Sequence, residues 1–100
     1  MVEIRWTDFA IENLIYIGNY IEQDSVKYAQ IVVNNIFDAT EILEQHPFAG
    51  RMVPEFSKKH IRELICGNYR IIYAVVSDGI VDILTIHHSA KLLSEIKNKK

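Results

Sequence analysis

The stretch Ile61-Arg62-Glu63-Leu64-Ile65-Cys66-Gly67-Asn68-Tyr69-Arg70-Ile71-Ile72-Tyr73-Ala74-Val75-Val76 decides the fold. Two runs rich in β-branched and aromatic residues flank the pair Gly67-Asn68, which supplies a tight hairpin turn. A third run, Ile80 to Ile86, follows a second turn pair, Asp78-Gly79, and ends on His87-His88. Three consecutive strands with short turns form an antiparallel meander. Arg62, Arg70, His87 and His88 sit in or beside these strands, where a purely apolar core would not place them. A site built on a sheet face is the reading these interruptions support.

Working back toward the N-terminus, Val2 to Trp6 alternates apolar and charged residues and reads as a half-buried strand. Thr7 offers a helix N-cap, and Asp8 suits the positive end of the helix. Ala10, Leu14, Ile17 and Ile21 then stack on one helical face. Asp24 or Ser25 caps a second helix, on which Ala29, Val32, Ile36, Ala39 and Leu43 form a stripe widened by Val33 and Ile42. Pro47 disfavours helix at His46 and sets the end. Residues 46–59 carry both prolines and no clean period, so they read as an ordered loop. Ser89 to Lys100 reads as a short terminal helix with a frayed lysine-rich end. The order strand, helical hairpin, meander means α+β. The expectation is one domain over residues 1–100: a four-stranded sheet that includes the first strand and carries both helices on one face.

One hundred residues fill one core and leave no room for a second. The single cysteine, Cys66, cannot form an internal disulfide and fits a reducing compartment. The start lacks the basic-then-apolar run of a signal peptide, and the longest apolar run, Ile71 to Val76, is too short to cross a bilayer. The expected location is the cytoplasm, with no membrane partner. The net charge of −2 hides an asymmetry. Residues 1–50 carry two basic and eight acidic residues (net −6), and residues 51–100 carry nine and five (net +4). A cationic half suggests an anionic partner, either nucleic acid or an acidic protein segment; acidic helix surfaces beside a solvated lysine tail give the same pattern.

Arg70 is the first candidate functional residue. It opens an otherwise apolar strand, so its guanidinium must reach an acidic partner or project from the open sheet face. Its planar fork suits phosphate, and Glu63 or Glu55 could equally hold it in a salt bridge. A two-residue turn at Gly67-Asn68 would pair Cys66 with Tyr69 and send Arg62 and Arg70 to opposite faces; one extra residue would unite them. Of His87 and His88, at most one can join a site on the open face. A histidine there could serve as general acid or base. Glu55 could act as a base or pair with the arginines. The histidines and the cysteine lie at no recognised metal-ligand spacing, and neither a glycine-rich phosphate loop nor a nucleophile elbow occurs.

These residues, taken in order, resemble the RelE/ParE superfamily of type II toxin–antitoxin toxins. The resemblance is carried by Trp6-Thr7, Ala10, Asn13-Leu14, Ile17 and Tyr20-Ile21, by Pro47-Phe48-Ala49-Gly50-Arg51-Met52-Val53-Pro54-Glu55, by Ile61-Arg62-Glu63-Leu64, by Gly67-Asn68-Tyr69-Arg70-Ile71-Ile72-Tyr73, and by His87-His88-Ser89-Ala90-Lys91. It runs over nearly the whole chain. The resemblance implies a growth-arresting toxin, without a cofactor, that is neutralised by a cognate antitoxin. The long first helix and the loop around Gly50-Arg51 look more like the ParE branch, which poisons DNA gyrase. The RelE branch instead implies a metal-independent endonuclease acting on mRNA in the ribosome, for which Glu55, Arg70 and His88 fall at the base, arginine and acid positions. Against that branch, the aromatic expected after the histidine is Ser89, and the strand lysines are replaced in His60-Ile61-Arg62-Glu63. Arg51, Arg62, Arg70 and Lys91 are the residues expected to contact the target or a nucleic acid.

Overall fold

The computed structural model describes residues 1–89; the expected C-terminal helix and Lys91 lie outside the described residues. Strand β1 (Glu3–Trp6) leads into helix α1 (Asp8–Glu22) and helix α2 (Val26–Ala39), followed by a 3-10 turn over Thr40–Glu44. Strands β2 (Arg51–Met52), β3 (Ile61–Cys66), β4 (Tyr69–Ser77) and β5 (Ile80–His88) follow within the described residues. The sheet order is β1-β5-β4-β3-β2.

Both helices begin where side-chain caps were expected. The Thr7 hydroxyl accepts from the Ala10 N–H at 3.1 Å, and Ser25 accepts from the Tyr28 N–H at 3.0 Å. Each cap satisfies a backbone donor that a helix start leaves orphaned. Helix α2 ends at Ala39, sooner than its apolar stripe. There the Thr40 hydroxyl donates to the Phe37 carbonyl at 2.7 Å, a local bond that competes with continued α-helix. Leu43 is nonetheless fully buried, while Ile42 is exposed.

The helical hairpin packs on one sheet face. Ala10, Ile17, Ile36 and Leu43 meet Ile71, Tyr73, Val81, Ile83 and Ile86 there, with Leu14, Ile21, Val32 and Ala39 packed at the margin. Gly18 permits this close hairpin, since a Cβ at that position would lie 3.2 Å from a Val33 methyl.

Three features differ from the four-stranded antiparallel sheet expected from the sequence. The sheet has five strands, because Arg51-Met52 pairs with Glu63 and Arg62 of β3. The sheet is mixed, because β1 runs parallel to β5, with Ile4 opposite Val81 and Trp6 opposite Ile83. Alternating polarity is the same in parallel and antiparallel neighbours, so the sequence pattern carries no direction. The parallel pairing lets α1 start straight off the strand: Thr7 donates its N–H to Ile83 O at 3.1 Å and caps the helix with its side chain. Third, the face opposite the helices is partly roofed. Ile61, Ile72 and Ala74 form a second small core there with Val53, covered by Phe56 and Leu84. Those apolar side chains would otherwise face water, and the loop after β2 supplies their cover.

A register shift near Ile72 and Tyr73 bulges β5 against β4. The freed Ile86 N–H finds the Asn13 side-chain oxygen at 3.1 Å, which also accepts from the Thr85 hydroxyl at 2.6 Å. Asn13 thus stitches α1 to the irregular part of the sheet. Asn13→Ala leaves both donors unpaired and is expected to cost about 1–3 kcal/mol in urea denaturation. Ile36→Ala, at the centre of the main core, is expected to cost about 2–5 kcal/mol in the same measurement.

Candidate functional site

The two-residue turn at Gly67-Asn68 fixes the geometry of the site. Gly67 takes the left-handed backbone conformation, φ 58°, that such a turn requires. Cys66 consequently pairs with Tyr69, and Arg62 with Tyr73. Arg62 and Arg70 therefore point to opposite faces. Across the open face, Ile65 of β3, Arg70 of β4 and His87 of β5 lie in one row.

Glu63, the residue after Arg62, is on the open face, opposite Ile72 and beside Arg51. Its carboxylate is fully buried. One oxygen accepts from Arg70 Nε and the other from Arg51 Nε, both at 2.5 Å. The outer edge of the Arg70 guanidinium is taken end-on by Glu55, with both Nη atoms 3.0 Å from its two oxygens. Two arginines and two glutamates thus form a charge-balanced chain, Arg51–Glu63–Arg70–Glu55. Burial stands at 11% side-chain exposure for Arg70, against 40% for Glu55 and 63% for Arg51. Hydrogen bonding from Arg70 holds the Glu55 carboxyl below the usual carboxylate range, against the opposing pull of partial burial. The two carboxylates hold the Arg70 guanidinium still more firmly protonated.

Gly50 is what brings Arg51 to Glu63. A Cβ on Gly50 would lie 2.4 Å from the Glu63 carbonyl oxygen, so only glycine lets the chain press this close to β3. The Gly50 N–H also donates to the buried Tyr73 hydroxyl at 2.9 Å. Burial raises the Tyr73 phenol above its ordinary value. On the helix-facing side, Arg62 staples the same loop. It donates to Lys59 O at 2.7 Å and to Gly50 O at 3.2 Å, and its guanidinium carbon stands 5.1 Å from the Phe48 ring centroid.

The structure therefore brings Glu55 and Arg70 together and does not bring His88 to them. His88 pairs with Tyr69, packing edge-on against its ring, while His87 is the histidine in register with Arg70. The strand runs through His88 rather than stopping at Ile86, and a register counted from Arg70 selects His87. Glu63 is the site residue that sequence reading weighed only as a salt-bridge partner. Its signal was a glutamate two residues from Ile61 and two from Ile65, in the same alternating position of an apolar strand, with Ile61 buried on that face. Among the described residues, no group of three or more histidine, cysteine, aspartate or glutamate side chains could hold a metal ion, and no helix is long and apolar enough to cross a membrane.

The outer surface of the hairpin is a second feature of note. Ile15, Tyr16, Tyr20 and Tyr28 are more than half exposed, and Tyr16 stacks on Tyr20 with ring centroids 6.5 Å apart. A shallow groove lined by Leu14, Ile15, Gly18, Ala29 and Val33 runs between the helices.

A helical hairpin on one face of a five-stranded mixed sheet is the fold of this chain, and its likeness to known proteins places it among the RelE/ParE superfamily toxins. The chain belongs to the ParE toxin family of type II toxin–antitoxin systems: the family model described as "ParE toxin of type II toxin-antitoxin system, parDE" matches residues 4–93. It is 33% identical over 92 residues to "Toxin RelE2" of Caulobacter vibrioides, covering 92% of this chain and 100% of the relative. It is 39% identical over 88 residues to "Putative toxin Y4kP" of Sinorhizobium fredii, covering 86% of each. Its fold matches a chain of the "Chromosomal ParDE TA system from P. aeruginosa" with a TM-score of 0.72 at 22% identity, covering 88% of this chain and 96% of the other. The chain is thus the toxin component of a two-protein module whose other member is an antitoxin.

Glu63→Gln leaves two arginines facing a neutral amide in a buried setting and is expected to cost about 3–5 kcal/mol by chemical denaturation. Glu55 gives a pH signature. Its carboxyl titrates below the unfolded-chain value of 4.5, so the ionised form stabilises the fold above that value and loses its contribution as pH falls through the lower folded value. The Tm difference between the wild type and Glu55→Gln should therefore be steady from neutrality down to about pH 5 and should shrink by about pH 3.

Proposed function

We propose that the protein arrests growth by inhibiting DNA gyrase, in the cytoplasm, and that a cognate antitoxin neutralises it by wrapping the domain. The antitoxin would lay an amphipathic segment on the exposed apolar surface of α1 and α2. It would reach the cationic collar of Arg51, Lys58, Lys59 and Arg62 with acidic side chains. Arg51, the most open guanidinium of the arginine–glutamate chain, is the leading contact residue for a partner, followed by Arg62 and Arg70; Lys91 belongs to the same proposed set.

The observation that carries the choice of target is the state of Arg70. Its Nε and both Nη atoms already donate to carboxylates. A nuclease using Glu55, Arg70 and His88 would need the guanidinium on a phosphate, the glutamate on a ribose hydroxyl and the histidine on the leaving oxygen. Here the glutamate and arginine neutralise each other, and the sheet register sends His88 to the other face. The chain's negative net charge is a further handicap for binding ribosomal RNA in competition with salt.

Expression without antitoxin is expected to arrest growth, induce a DNA-damage response and leave translated transcripts intact. The purified toxin is expected to inhibit gyrase supercoiling of a relaxed plasmid. Site-specific cuts in translated mRNA that disappear in His88→Ala, with supercoiling unaffected, would overturn the gyrase assignment in favour of the endonuclease.

A further inference from the structure

We propose that the Arg70 fork is a carboxylate-exchange site: Glu55 occupies it in the free toxin, and an aspartate or glutamate side chain of a partner protein segment replaces Glu55 on binding. The inference concerns how an acidic segment is received and holds whichever cellular target the toxin arrests.

Three observations build the site. First, the guanidinium is pre-oriented from beneath. Glu63, fully buried, holds Arg70 Nε whether or not Glu55 is present, so the outer edge keeps its direction without cost at the moment of exchange. Second, Glu55 is a detachable occupant. Its carboxylate is 40% exposed and reaches Arg70 through its own rotatable side chain. The loop that carries it is anchored independently by the buried Val53 and by Phe56 packed on the small core. A change of rotamer therefore frees the fork while the loop stays in place. Third, the surroundings are cationic. Arg51 stands alongside with 63% of its side chain exposed, and Lys58 and Lys59 are exposed on the loop that carries Glu55. An incoming anion exchanges one end-on carboxylate for another, so the charge-assisted hydrogen bonds are conserved. The collar then adds attraction that Glu55, already counted in the free toxin, does not receive anew.

Two features favour a protein carboxylate over a nucleic-acid phosphate. The resident group is itself a carboxylate in end-on geometry, so the fork is shaped for that chemistry. Residues 1–50 also carry a net charge of −6, which repels an extended polyanion more than a short acidic segment.

The test uses the full chain at physiological ionic strength, titrated with a hexaglutamate peptide and followed by NMR at the Glu55 side-chain carboxyl and the Arg70 Nε–H. The peptide is expected to shift both signals together. Glu55→Gln, which removes the competing charge, is expected to bind it about tenfold more tightly, and Glu41→Gln, the same charge change on the 3-10 turn, should bind as wild type. Lys58→Gln, on the exposed loop, is expected to weaken binding while the protein stays folded, and Arg70→Lys to abolish the tightening. Failure of the peptide to move the Glu55 carboxyl, or equal tightening in Glu55→Gln and Glu41→Gln, would overturn the proposal. Preferential binding of a hexauridylate RNA by Glu55→Gln would overturn it in favour of a phosphate site. Gyrase inhibition is read separately, so its absence leaves this outcome unchanged.

Discussion

A carboxylate buried on β3, between β4 and the short edge strand β2, is the constraint from which the rest of the far face follows. Glu63 cannot remain ionised there without partners, because desolvating a charge costs several kcal/mol even after relaxation. It takes one guanidinium from each side, Arg51 on β2 and Arg70 on β4. The demand for Arg51 explains why a two-residue strand forms at all: two residues make few ladder bonds, but the ion pair and the Gly50 contact with Tyr73 hold them on β3. The demand for Arg70 fixes the plane of its guanidinium, and this leaves one free edge, which Glu55 fills.

That chain of charges also divides labour between the two sheet faces. The helix side holds the large apolar core and the aromatic contact of Tyr69 with His88. The other side holds a small core under the loop after β2, and beside it the arginine–glutamate chain. Because side chains alternate along a strand, the tight turn at Gly67-Asn68 decides in a single step which arginine reaches which face. A turn one residue longer would put Arg62 with Arg70 and break the pairing of Glu63 with both of its arginines.

Membership of the ParE toxin family sets the class of the protein, while the chemistry of a superfamily member is decided by the site grafted on the fold. In this chain the strand arginine is engaged in internal ion pairs, and the apolar hairpin surface lies on the acidic half. The chain therefore presents two different surfaces: an apolar, anionic one on the helices and a polar, cationic one around Arg51. An antitoxin segment that carries apolar residues in one stretch and acidic ones in another would match both.

Most of the architecture was legible from pattern. Thr7 as a cap, a second cap at Asp24 or Ser25, the stripe from Ala29 to Leu43 and the two hairpin turns all follow from local rules that act over a few residues, while the choice of Ser25 and the pairing of Cys66 with Tyr69 came from the structure. The contact of Arg70 with both Glu55 and Glu63 was visible only as a choice between partners, because which carboxylate reaches a guanidinium depends on where a proline-containing loop folds back. The parallel direction of β1, the short strand at Arg51-Met52 and the placement of His87 rather than His88 beside Arg70 were settled by tertiary structure. Each depends on contacts between segments far apart in the chain, whose alternation of polar and apolar residues is the same whichever neighbour, direction or register they adopt. Local chemistry named the elements; the burial of one glutamate between distant arginines decided how they meet.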